Sequence, residues 1–77
     1  MKIKVLLFGI LAEKAGLEEI EVEKINSINE LTKHLTGSYP SFADYKFRVA
    51  VNQVMVNKDK SLKDGDVVAL LPPFAGG

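Results

Sequence analysis

Apolar and polar residues alternate at the start of the chain, which is typical of a strand with one buried face. In "KIKVLLF" (Lys2 to Phe8) the odd positions are apolar, and the first two even positions are lysines. The even-numbered face then becomes apolar at Leu6 and Phe8. The pattern therefore predicts one of two arrangements: this end of the strand is covered on both faces, or it carries an exposed apolar patch.

The next two segments predict a short helix and a second strand. "ILAEKAG" suits a helix that ends at Gly16, because glycine readily adopts the left-handed conformation after a helix. "EEIEVEK" alternates again, with Ile20 and Val22 on one face and glutamates on the other. We expect this strand to pair antiparallel with the first and to present its acidic face to water.

"SINELTKHLTG" carries the strongest helix signals in the chain. Ser27 and Glu30 have the spacing of a capping box, in which each side chain satisfies a free amide at the helix start. One apolar stripe follows at helical spacing: Ile28, Leu31 and Leu35. We expect Gly37 to end the helix, and the following "SYPSFADY" to be irregular.

The last third of the chain predicts three strands. "FRVAVNQVMVN" reads as two strands around a tight turn at Asn52-Gln53, because asparagine tolerates a positive φ. "KDKSLKDGD" is a polar connection with a turn at Asp64-Gly65. The unbroken apolar run in "VVALLP" predicts a buried strand, which Pro72-Pro73 ends.

This order of elements is typical of the ubiquitin-like β-grasp architecture, an α+β fold. A helix that follows a hairpin and crosses to a further strand suits a mixed five-stranded sheet with one main helix packed on one face. The first and last strands should lie parallel at the centre. We therefore expect one β-grasp domain at residues 1–71 and an extended, flexible C-terminal tail at residues 72–77.

Composition and charge remove several classes of function. Ten basic and ten acidic residues cancel without forming a basic stripe, which disfavours nucleic-acid binding. No apolar run reaches the roughly 20 residues of a membrane helix, so a cytoplasmic protein without a membrane partner is expected. The chain has no cysteine, and its one histidine, His34, is expected on the helix surface. The spacing of Asp59, Asp64 and Asp66 does not fit a calcium loop, so we expect the chain itself to bind no cofactor or metal.

The chain ends in "LLPPFAGG", and this ending is the candidate for chemistry. Two glycines without Cβ atoms can enter a narrow channel, and a diproline holds the preceding chain extended. Residues 72–77 could reach roughly 20 Å. Adenylation would activate the terminal carboxylate, and a sulfur nucleophile could then displace AMP to give a thiocarboxylate. The alternative is a frayed or truncated terminus, which many proteins have.

Three segments resemble a known family over nearly the whole chain: "KVLLFGILAEKAG", "VAVNQ" and "LKDGDVVALLPPFAGG". They are similar to the small subunit of molybdopterin synthase, in the ubiquitin-like sulfur-carrier group. The resemblance implies that an activating enzyme of the ubiquitin-activating type uses ATP and magnesium to adenylate Gly77, after which a sulfur donor supplies covalent sulfur. The thiocarboxylate would then enter the large synthase subunit of a heterotetramer. That subunit would supply the catalytic residues, and the sulfur would convert a cyclic pyranopterin precursor to the molybdopterin dithiolene.

The resemblance also assigns residues. Gly77 would carry the sulfur and Gly76 would let the tail pass through the channel. An apolar partner interface would be formed by the residues Phe8, Leu62, Leu71, Pro72, Pro73, Phe74 and Ala75. Many members have an arginine where this chain has Ala12, so a charged contact there is not expected; Lys14 is the nearest substitute.

Other functions remain compatible with the sequence. The same carrier chemistry could serve thiamine thiazole synthesis, tRNA thiolation or cysteine synthesis, although the diproline favours molybdopterin over the thiazole pathway. A ubiquitin-like modifier would instead form isopeptide bonds through Gly77. A plain interaction module would use the folded domain, and its tail would be incidental.

Overall fold

The computed structural model describes residues 2–72. Its elements in chain order are β1 Lys2–Leu7, α1 Ile10–Ala15, β2 Glu19–Glu23, α2 Ile28–Ser38, a 3-10 helix Pro40–Asp44, β3 Arg48–Val51, β4 Val54–Val56 and β5 Val67–Leu71. The predictions on Pro73, Phe74, Ala75, Gly76 and Gly77 lie outside the described residues. The division into a domain at 1–71 and a tail at 72–77 stays a prediction.

The five strands form one mixed sheet in the order β2-β1-β5-β3-β4. β1 pairs antiparallel with β2 and parallel with β5, and β3 pairs antiparallel with both β5 and β4. The first and last strands therefore lie side by side at the centre, with Val5 opposite Val68. This topology confirms the predicted β-grasp fold.

The core lies between the sheet and α2. β1, β2, β3 and β5 contribute residues that face the helix, and α2 contributes its predicted stripe; Val56 of β4 is only partly buried against this cluster. The members are Ile3, Val5, Leu7, Leu11, Val22, Ile25, Ile28, Leu31, Leu35, Phe42, Val49, Val51, Leu62, Val68 and Leu70. Burial on this scale gives a small chain without cysteine its stability, because each fully buried apolar side chain contributes about 1.5–3 kcal/mol.

Side chains on both sides of the α2 start satisfy its free amides. The Ser27 Oγ accepts a hydrogen bond from the Glu30 amide at 3.2 Å, as the capping box predicts. The Glu30 carboxylate reaches back to the amide of Asn26 at 2.8 Å, one residue earlier than the usual pairing. Asp59 accepts from the Asn29 amide at 2.9 Å, which ties the polar connection before β5 to the helix.

The end of α2 differs from the sequence prediction. The prediction that Gly37 ends the helix is wrong, because the helix continues to Ser38. Tyr39 leaves the helical region at φ −129° and ψ 81°, since the following Pro40 disfavours a helical residue before it. The next segment is a 3-10 helix rather than irregular chain, and it buries Phe42 completely against the core.

The burial of β5 is less complete than predicted, because the apolar run predicted a buried strand and the structure buries only alternate residues. Val68 and Leu70 face the helix and are buried, whereas Val67, Ala69 and Leu71 are half-buried. The buried residues of the helices, among them Leu11, Leu31 and Phe42, belong to the cluster that contains Val68 and Leu70. The apolar run is therefore not explained by burial within residues 2–72.

Asn52, Asp66 and the amides of Lys63 and Val67 form a hydrogen-bonded group, which we call the polar clip, at the end of the sheet away from Pro72. Asn52 and Gln53 adopt φ values of 49° and 71°, as the predicted tight turn requires. The Asn52 side chain donates to Asp66 at 3.0 Å and accepts from the Val67 amide at 3.0 Å. The other oxygen of Asp66 accepts from the Lys63 amide at 2.8 Å. The clip thus joins the β3–β4 turn to the start of β5.

Replacing Asp66 by Asn should lower the free energy of unfolding by about 1–2 kcal/mol at neutral pH, because one accepting oxygen is lost. Hydrogen bonds from the Lys63 amide and then from Asn52 lower the pKa of Asp66 from its usual 3.8. A lowered folded-state pKa adds stability above the unfolded-state pKa, and that stability disappears as pH falls through the folded-state pKa. The free energy of unfolding of wild type should therefore exceed that of D66N by less and less as the pH falls below 3.8. Urea unfolding at a series of pH values measures this difference.

Asp44→Asn is the matched control for this prediction. It makes the same change of charge at an exposed position of the 3-10 helix. It should change the free energy of unfolding by less than about 0.5 kcal/mol. If D44N and D66N lowered the free energy of unfolding equally, the hydrogen bonds of the clip would add nothing to stability.

Candidate functional site

The sheet has an open face on the side away from α2, and its residues lie in rows set by the strand register. Leu6 of β1 lies opposite Ala69 of β5, Ala69 opposite Ala50 of β3, and Ala50 opposite Met55 of β4. These residues alternate with core residues along each strand, so their side chains point away from the helix. This row is apolar across four strands.

A second row lies nearer the C-terminal end of β5. Leu71 is opposite Arg48 of β3. Phe8 follows Leu7, which pairs with Leu70, so it lies level with Leu71. We call the two rows together the open-face stripe: Leu6, Phe8, Arg48, Ala50, Met55, Ala69 and Leu71.

Two large apolar side chains of the stripe are exposed. Phe8 is 44% exposed and Met55 is 45% exposed, while Leu71 is half-buried. The first strand therefore ends in an exposed apolar patch, which decides between the two arrangements that its pattern allowed. Clustered exposed apolar residues of this kind mark interaction sites more often than scattered ones do.

The other end of the open face is charged and internally paired. The Lys2 Nζ lies 3.8 Å from the Glu21 Oε1, and the Lys4 Nζ lies 4.0 Å from the Glu19 Oε2. These pairs are diagonal in the β1–β2 register, which places Glu23 opposite Lys2 and Glu21 opposite Lys4. They are exposed and contribute little to stability. They do make this end of the face polar, in contrast to the end beside Leu71.

The chain leaves the sheet at Pro72, and Gly9 packs closely against that residue. A Cβ placed on Gly9 would lie 2.9 Å from the Pro72 Cγ, closer than real Cβ contacts allow. Gly9 also has φ 57° and ψ −132°, a conformation that strongly favours glycine. The turn between β1 and α1 therefore supports the residue from which the tail begins.

The structure separates the predicted interface residues into two groups. Phe8, Leu71 and Pro72 lie together at one end of the open face. Leu62 lies in the core and is 5% exposed, so its side chain does not belong to the same surface. The predicted contact of Leu62 with partner proteins stays a prediction, and so do the predicted contacts of Phe8, Leu71 and Pro72. Ala12 is half-buried against the core.

Other candidates for chemistry are not assembled in the described part of the chain. His34 is exposed on α2, as expected. Residues 2–72 contain no group of three or more histidine, aspartate or glutamate side chains placed to hold a metal ion. Asp59 lines a groove between α2 and β3, and one oxygen of its carboxylate, Oδ1, accepts hydrogen bonds from the amides of Asn29 and Lys60. None of the helices described is long and apolar enough to cross a membrane.

Sequence reasoning missed Arg48 and Met55 as members of this surface. The signal was present in "FRVAV", where Arg48 and Ala50 share a face opposite two buried valines. This pattern alone did not identify a functional surface, because only the register shows that this face of β3 lies next to the apolar end of β5.

Comparison with known proteins places the chain among small sulfur carriers. A family model described as the ThiS family matches residues 5–77. A molybdopterin synthase sulfur carrier subunit from Mycobacterium tuberculosis is 38% identical over 82 aligned positions, which cover 100% of this chain and 99% of that protein. The similarity therefore spans the folded domain and the Gly-Gly ending together.

Solved structures with a similar fold have related descriptions. A Pyrococcus furiosus protein described as molybdopterin converting factor subunit 1 is 29% identical with a TM-score of 0.86, covering 96% of this chain and 99% of that one. A chain from a complex of subunits 1 and 2 of the Helicobacter pylori molybdopterin-converting factor is 28% identical with a TM-score of 0.75, covering 100% of both chains.

Alanine substitutions should destabilise the protein more at Leu62, in the core, than at Phe8, on the surface. Leu62→Ala should lower the free energy of unfolding by about 2–4 kcal/mol, because it leaves a cavity in the core. Phe8→Ala should lower it by about 1 kcal/mol or less, since nearly half of the side chain is already exposed. Denaturant unfolding of the two variants measures both values. A loss in F8A as large as that in L62A would contradict the assignment of Phe8 to the surface.

Proposed function

The chain belongs to the ThiS family, and from this premise we propose that it is the sulfur carrier subunit of a molybdopterin synthase. Its C-terminal carboxyl group, on Gly77, would be converted to a thiocarboxylate that donates sulfur to a cyclic pyranopterin precursor. The folded domain would bind the partner proteins. The reacting group would be the single acyl carbon at the end of the chain.

The names of similar proteins support the molybdopterin pathway. The Mycobacterium tuberculosis relative, matched over its whole length, is named as a molybdopterin synthase sulfur carrier subunit. The Helicobacter pylori structure is a complex of two different subunits of a molybdopterin-converting factor. We therefore propose a large synthase subunit as the partner, in a heterotetramer with two copies of each subunit.

One structural observation carries the proposal for this chain: its exposed apolar surface lies beside the residue from which the tail begins. Five residues follow Pro72, and they can reach about 17 Å at most. A partner that takes Gly77 into its active site must therefore lie close to Pro72. The apolar end of the open face, with Phe8 and Leu71, is the surface such a partner would cover.

The first chemical step would activate the terminal carboxylate. A carboxylate oxygen of Gly77 attacks the α-phosphorus of ATP, which releases pyrophosphate and leaves an acyl adenylate. The terminal sulfur of a persulfide on a donor protein then adds to the acyl carbon and AMP leaves, which gives an acyl disulfide between Gly77 and the donor. A thiol attacks the donor sulfur of this acyl disulfide and breaks the S–S bond. The thiol and the donor are then joined by a disulfide, and Gly77 carries the thiocarboxylate. ATP, magnesium and the activating enzyme supply this chemistry, so we assign the carrier to the cytoplasm.

The second step would transfer the sulfur inside the large subunit. The thiocarboxylate sulfur displaces an oxygen substituent from an electrophilic carbon of the precursor, and that oxygen leaves with the bonding electrons and takes up a proton. The product is a thioester between the carrier and the pterin. Water then cleaves the bond between the acyl carbon and the sulfur, which frees the Gly77 carboxylate and leaves a thiol on the pterin. A dithiolene has two sulfur atoms, so two loaded carriers are needed for each product. Gly76 would let the chain end pass to the reacting atoms, because it has no side chain.

Removing Gly76 and Gly77 should abolish sulfur transfer and leave the fold intact. The two residues follow the last described element, so circular dichroism and thermal unfolding should match the full chain. In a reaction with activating enzyme, ATP, sulfur donor, large subunit and precursor, dithiolene formation should fall to background. Full activity of the truncated chain would exclude a carrier function and leave an interaction module.

Intact mass spectrometry should distinguish the remaining functions. After incubation with ATP, the activating enzyme and a sulfur donor, the mass should rise by the difference between sulfur and oxygen. Adducts in which Gly77 is joined to lysines of other proteins would indicate a modifier instead. If the thiocarboxylate forms but the large subunit does not consume it, the result would instead indicate a carrier for thiazole, tRNA or cysteine synthesis.

A further inference from the structure

Resting on the proposed function, we propose that the docking surface for the large synthase subunit extends across the sheet to Arg48 and Met55, and that Arg48 binds a carboxylate of that subunit. The register places Arg48 directly opposite Leu71. Met55 lies at the far end of the neighbouring row, on the edge strand β4. Neither position is among the interface residues that the sequence suggested.

The short tail requires the partner to cover this region. Residues 73–77 reach about 17 Å at most from Pro72. Strands in a sheet are about 4.8 Å apart, so Arg48 and Phe8 lie about 10 Å from each other on opposite sides of Leu71. A standard protein interface buries about 800 Å² on each partner, which corresponds to a radius of roughly 16 Å. A footprint of that size around Leu71 includes both Arg48 and Met55.

The charges on the open face point to a carboxylate as the group that Arg48 binds. At the polar end of the face, Lys2 and Lys4 are each paired with a glutamate of β2. Arg48 is exposed and forms no ion pair with another residue in the range 2–72. An arginine beside exposed apolar residues is typical of interface hot spots, and its planar guanidinium matches a carboxylate well.

Met55 marks how far the apolar surface extends. It is 45% exposed and is separated from Ala69 only by Ala50, which is 6% exposed. The row from Leu6 to Met55 is thus continuous. Val54, the preceding residue of the same strand, is 66% exposed, but it points to the helix side because it pairs with the core residue Val51. Two adjacent exposed apolar residues therefore lie on different faces.

The test measures binding of the full-length chain to the large subunit of the same organism by calorimetry. Arg48→Glu should weaken binding by about tenfold or more, because a like charge then faces the carboxylate. Arg48→Lys should retain most of the affinity, and Arg48→Ala should reduce the salt dependence of binding. Lys33→Glu makes the same charge change on the exposed surface of α2 and should bind within about twofold of wild type.

A second pair of variants tests the face. Met55→Asp should weaken binding by about tenfold, because it places a charge in the apolar contact, whereas Val54→Asp should bind like wild type. Thermal unfolding of every variant shows whether the fold is kept. Wild-type affinity in R48E or M55D would overturn the extended surface, and so would equal weakening in M55D and V54D. A wild-type chain that does not bind the large subunit would overturn the proposed function as well.

Discussion

The parallel pairing of β1 with β5 is the contact on which the rest of the structure depends. It joins the two ends of the chain, with Lys4 opposite Val67 and Leu7 opposite Leu70. The strands that flank this pair each attach to one of its members, β2 to β1 and β3 to β5. Because β5 runs in the same direction as β1, the chain leaves the sheet beside Phe8 and Gly9, so the position of Pro72 follows from this pairing.

The second determining feature is that α2 covers only one face of the sheet. Val68 and Leu70 belong to the core, while Leu71 and Ala69 of the same strand lie on the open face. One five-residue strand therefore supplies core residues on one face and apolar residues of the open face on the other.

Local patterns predicted most of the fold. The alternation from Lys2, the Ser27–Glu30 box and the Asn52-Gln53 turn each rest on contacts within a few residues, and all three are confirmed. The error at the end of α2 was a choice between two neighbouring signals, because Gly37 stays helical and Pro40 stops the helix. Other features depend on contacts between distant segments. The position of Arg48 opposite Leu71 follows from the β3–β5 register, which no single segment reveals.

The close packing of Gly9 on Pro72 has a consequence for reaction rates. With Pro72 held against the domain, a docked carrier confines its last acyl carbon to a sphere of roughly 17 Å radius. One molecule in that volume corresponds to an effective concentration of tens of millimolar, as expected for a short tether. Docking alone would therefore saturate an active site of ordinary affinity, and a longer, unsupported tether would dilute the same group.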